Sequence, residues 1–75
     1  MTTKNLQIDL IDVSTRQKRR NATSLAIGLL ERIRFAEEAS LERFPTNLQD
    51  GDAYANAEYS LEVLVDAIVN LSDAY

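Results

Sequence analysis

Cysteine, histidine and tryptophan are all missing from this 75-residue sequence, which has only one proline and two glycines. Each absence closes a route. Without cysteine there is no disulfide staple and no thiolate metal site, and without histidine the commonest zinc ligand is gone. A chain this short buries too little surface to be comfortably stable alone, so oligomerisation or efficient helix packing must supply what staples and metals do not. No apolar run approaches the ~18–20 residues of a membrane span. Behind Met1-Thr2-Thr3-Lys4-Asn5, the acids Asp9 and Asp12 interrupt any apolar core, so there is no signal-peptide pattern. The expected compartment is the cytoplasm, with no membrane contact, and Asn21-Ala22-Thr23 has no meaning as a glycosylation acceptor there.

What is present describes a folded chain. Hydrophobic residues make up 45% and charged residues 27%, too apolar for disorder. The net charge is −4, and it is unevenly spread. Residues 1–34 hold seven basic and three acidic side chains; residues 35–75 hold one basic and nine acidic. Such a polarised small acidic chain can mark an interaction surface, or its halves can lie against each other in a hairpin or dimer. The self-complementary arrangement is the expectation.

Residues 1–14 read as an N-terminal extended arm. From Leu6 to Leu10 apolar and polar residues alternate, the period of a strand. Leu6, Leu10 and Val13 also fall at helical spacing, so a backward extension of the first helix stays open. Ser14-Thr15-Arg16-Gln17 has the form of a capping box, with a later start at Asn21 as the alternative. The first helix is expected over 15–43, about 43 Å long. Ala22, Leu25, Ala26, Leu29, Ile33, Ala36, Ser40 and Phe44 line its main face, and Ile27 and Phe35 point away from it. Pro45 ends it, because the residue before proline avoids the helical region. Residues 45–52 form the turn, and a second helix runs over 53–74.

In that second helix Tyr54, Ala57, Leu61, Leu64, Ile68, Leu71 and Tyr75 recur at spacings of three and four, a coiled-coil-like seam. Val63, Val65, Ala67 and Val69 widen the apolar arc well beyond the ≳100° that a surface helix needs. A single neighbouring helix cannot cover it. The expected fold is therefore all-α: an antiparallel helical hairpin of two long helices that dimerises into a four-helix bundle. The dimer and core seam comprises Tyr54, Ala57, Leu61, Leu64, Ile68, Leu71, Leu29 and Ile33. Ile27 and Phe35 are candidates for an extra interface.

Chemistry is scarce. Glu37, Glu38 and Glu42 lie near the end of the first helix, and Glu58, Glu62 and Asp66 form a column on the second. Paired helices with carboxylates can hold Mg²⁺ for phosphate chemistry. The stretches AEEASLERF and SLEVLVDAIVNL resemble the helix pair of the all-α, MazG-type nucleotide pyrophosphohydrolases, over about half the chain. That family spaces its carboxylates Glu-x-x-Glu and Glu-x-x-Asp, whereas Glu38–Glu42 and Glu62–Asp66 have three residues between them. Glu62 and Asp66 also fall opposite the seam, where a solvated acidic face is the simpler account. Asp50-Gly51-Asp52 imitates the start of a calcium loop, but the sixth position is Ala55 and the twelfth Leu61, not the glycine and glutamate required. Tyr54 and Tyr75 read as packing residues, Tyr59 as polar-side.

Arg16, Lys18, Arg19 and Arg20 form the one basic patch, a site for a protein partner or for nucleic acid. An arm leading into helices resembles the ribbon-helix-helix regulators, whose paired strands enter the major groove and whose dimerisation is obligatory. Asp9 and Asp12 would meet phosphate repulsion there, and no aromatics interleave with the cations as a single-strand binder requires. The patch is expected to set register against acidic residues, with nucleic acid second. The sequence thus predicts a small non-catalytic protein–protein interaction module acting as a homodimer: an adaptor, regulator or accessory factor without cofactor or metal. A DNA-binding transcriptional regulator is the alternative, and a Mg-dependent nucleotide pyrophosphohydrolase-like enzyme the third.

Overall fold

The computed structural model describes residues 11–75, and the strand-or-helix question for the arm falls mainly on residues outside these. The described residues are all-helical, with no strand: α1 spans Arg16–Glu42, a single 3-10 turn Thr46–Leu48, and α2 Asp52–Ser72. The two helices pack against each other as a hairpin. Residues 11–13 are irregular and lead through a bend into α1.

The start of α1 is set by a hydroxyl. Thr15 is extended, and its Oγ1 accepts the Lys18 N–H at 3.1 Å, satisfying one of the orphan donors of the first turn. The cap is thus one residue later than Ser14, and Asn21 lies inside the helix, its Oδ1 accepting from Gln17 Nε2 at 3.0 Å. Ser14 is occupied elsewhere: its N–H donates to Asp12 Oδ1 at 2.8 Å. The first turn of α1 has no acid and its last turn no base. Its cations sit at the positive end of the macrodipole and its acids near the negative end, so these charges work against the helix. The second helix has Asp52 in its first turn, on the favourable side.

Pro45 stops α1. The chain then makes its 3-10 turn, held by Leu48 N–H to Pro45 O at 3.0 Å and Gln49 N–H to Thr46 O at 3.2 Å. Across the turn the Phe44 and Tyr54 rings meet edge to face, centroids 5.1 Å apart, and close the hairpin at that end. From Phe44 backwards, the half-buried positions of α1 include Leu41, Glu37, Arg34, Leu30, Ile27 and Thr23, again at spacings of three and four. On α2 they are Tyr54, Ala57, Leu61, Leu64, Ala67 and Leu71, with Ile68 buried at 9% exposure.

The face that α1 turns to α2 therefore differs from the one its sequence favours. Ile27 lies inside the hairpin, at a hollow it shares with Leu71. Leu25, Leu29 and Ile33 lie outside it, exposed. The inward stripe carries an arginine because that arginine is neutralised along its own helix. Arg34 donates to Glu31 Oε1 at 2.7 and 2.9 Å and to Glu38 Oε2 at 2.8 Å, with its Cζ 4.6 Å from the centre of the Phe35 ring. The hydrogen bonds to Glu31 foremost, helped by the charge of Glu38, hold the guanidinium protonated more firmly still.

Candidate functional site

The basic patch is distributed among partners within the chain. Lys18 Nζ lies 2.6 Å from Asp12 Oδ2, and Arg19 donates to the Val13 carbonyl at 3.0 Å. Arg16 and Arg20 lie over the Tyr75 ring, their Cζ atoms 4.9 and 5.9 Å from its centroid. All four cations are exposed. Lys18 foremost, then Ser14, pulls the Asp12 carboxyl below the usual carboxylate range.

Among the described residues no ion pair crosses from α1 to α2; the pairs are Lys18–Asp12, Arg34–Glu31 and Arg34–Glu38. The expected match of Arg16–Arg20 against the acids of Glu58 to Asp73 is not made within the hairpin. The antiparallel layout explains this. The start of α1 lies beside the end of α2, where the nearest ring is Tyr75, whereas Glu58, Glu62 and Asp66 project from the outer side of α2. They are exposed, and no three acids among the described residues gather closely enough to hold a metal ion.

Tyr54 takes its place in the aromatic closure with Phe44, and Tyr59 is exposed. Tyr75, expected on the seam, instead supports the two arginines. Phe35 is 61% exposed, sharing its ring with Arg34. Gly51 caps α2 and Asp52 enters its first turn, the helix-starting role of that stretch.

A pattern that the charge count alone does not disclose is the outer surface. Ile11 and Val13 fold back along α1 and, with Ala22, Leu25, Ala26 and Leu29, line an open apolar groove of about 460 Å³. Leu29 is 54% exposed and Ile33 41%. On α2, Val63, Val65 and Val69 are also exposed. Exposed apolar side chains therefore lie on both helices of this small hairpin. The alternation from Leu6 to Leu10 marks the segment before α1 as partly apolar, but nothing in the sequence says where Ile11 and Val13 lie. No helix among the described residues is long and apolar enough to cross a membrane. No protein family, curated protein or solved structure matches this chain.

Proposed function

We propose that this chain is a small non-catalytic protein–protein interaction module, an adaptor, regulator or accessory factor, that works as a homodimer in a four-helix bundle. One observation carries the reading. Among the described residues Ile68 is the sole buried hydrophobic, while Leu25, Leu29, Ile33, Val63, Val65 and Val69 stay exposed. Each aliphatic side chain that passes from water into a core contributes ~1.5–3 kcal/mol before entropy, so a hairpin left alone forgoes most of what its composition can supply. A second hairpin on the first gives each helix two neighbours, which is what its apolar arc calls for.

Sedimentation equilibrium with far-UV circular dichroism tests this. A two-chain species whose melting temperature rises with concentration supports the bundle. A well-folded species of 8.4 kDa at micromolar concentration overturns it. For the interaction role, a pull-down from native lysate is expected to yield a specific protein partner.

A regulator that binds DNA is the second reading, favoured by the exposure of Arg16, Lys18, Arg19 and Arg20 together at one end of α1. It requires a mobility shift that weakens steeply with salt and is lost in Arg19→Ala/Arg20→Ala. The nucleotide-hydrolase reading stands third, since Glu62 and Asp66 face outward. It requires Mg²⁺-dependent stabilisation abolished by Glu62→Ala.

A further inference from the structure

We infer that a second copy of this chain docks on one defined side of the hairpin: the side where the Leu29–Ile33 stripe of α1 and the Ser60–Val63–Ala67 stripe of α2 lie next to each other. The inference rests on the dimer reading above and adds which surface the two copies share.

Helical geometry places the two stripes together. At about 100° per residue, Ala26, Leu29, Ile33 and Ala36 lie well round α1 from its inward stripe, all in one direction. Ser24 lies round α1 in the opposite direction, and Ser72 leaves the seam of α2 to one side. These two serines line the same small hollow, so they mark one common side of the hairpin. Because the helices run antiparallel, Ser60, Val63 and Ala67 then fall on the other side, with the α1 stripe. The apolar groove under Ile11 and Val13 opens onto the flank of that same stripe.

Charge separates the two sides. The serine side carries Glu31 and Glu42 on α1 and Glu58 and Glu62 on α2, against Arg20, which lines the hollow, and Arg34, which pairs with Glu31, so acids remain in excess there. Two copies related by a two-fold axis bring the same patch of each together, so contact through that side sets acid against acid. On the other side the α2 stripe is uncharged from Asn56 to Asn70, and the α1 stripe from Ala22 to Ser40. At its margin stand Arg19, held by the Val13 carbonyl, Lys18, paired with Asp12, and Glu37, opposite in sign.

Size agrees. Stripes running over 22–40 and 56–70 are roughly 27 and 21 Å long, and two packed helices are about 20 Å wide. The flat footprint is on the order of 500 Å², which side-chain relief raises toward the ~800 Å² per partner of a standard interface.

The absence of native cysteine makes the test clean. Ser60→Cys and Glu62→Cys are made separately, and their maleimide labelling rates are followed from high to low protein concentration beside sedimentation of the same samples. The expected result is that the thiol at position 60 labels at least tenfold more slowly in the dimer, and recovers on dilution, while that at position 62 stays reactive throughout. As a second arm, Val63→Glu is expected to yield a helical monomer, and Val69→Glu to remain dimeric. A dimer that protects position 62 and leaves 60 free overturns this surface but leaves the bundle standing. A folded monomer in the unsubstituted chain overturns both. Protection at position 60 that persists at every dilution means that the chain covers this side itself, and overturns the inference.

Discussion

Ile68 on α2 and Ile33 on α1 are the same side chain in opposite circumstances: one is 9% exposed at the centre of the hairpin, the other 41% exposed on its outside. Both belong to uninterrupted series at spacings of three and four. The difference teaches that periodicity tells which residues share a face but not which face meets which neighbour. At the turn the residues that do meet are Phe44 and Tyr54, their rings edge to face.

The contrast can be broken most forcefully at the two isoleucines. Ile68→Ala is expected to cost about 2 kcal/mol or more in urea denaturation at any concentration, from lost burial plus the cavity left behind. Ile33→Ala is expected to cost about 0.5 kcal/mol in dilute solution, as exposed sites do, with the penalty growing as concentration rises. Equal costs at all concentrations would erase the distinction. Next comes the end of the hairpin: Phe44→Ala removes the edge-to-face pair and half-buried area, an expected loss of about 2 kcal/mol in thermal melts. The cap sharpens the comparison at finer scale. Thr15→Ala is expected to cost about 1 kcal/mol, and Ser14→Ala only a few tenths, because only Thr15 accepts a helix N–H. Tyr75→Leu should cost about 0.5–1 kcal/mol through its two arginines, an effect that vanishes when Arg16 and Arg20 are already alanine.

The smallest effect is a titration. The Asp12 carboxyl is lowered in the folded chain, chiefly by Lys18. Its contribution is therefore fully present above the ordinary carboxylate value near ~4 and is lost as pH falls through the lowered folded value. Asp12→Asn should slightly lower the melting temperature at neutral pH and leave it unchanged in strong acid.

How far the sequence could be read follows from the same contrast. The seam of α2 was legible because its large apolar residues, Leu61, Leu64, Ile68 and Leu71, recur without a charge among them. The stop at Pro45 was legible for a covalent reason. In α1 two series compete, and the one facing α2 is interrupted by Thr23, Arg34, Glu37 and Glu38. Pattern reading favours the clean series through Leu29 and Ile33. Nothing local announces that Arg34 will be satisfied by Glu31 and Glu38 along its own helix. The fold-back of Ile11 and Val13, and the seating of Arg16 and Arg20 on Tyr75, join residues that meet only once the chain has turned.

The charges of α1 carry a final consequence, for the order in which the chain acquires structure. A segment with cations where it begins and acids where it finishes resists winding up unaided, and a peptide of residues 16–42 should be largely coil in dilute buffer. It persists only while a neighbour holds it. Heating should then undo both arms of the molecule in a single step, with no surviving rod to serve as a seed for the return.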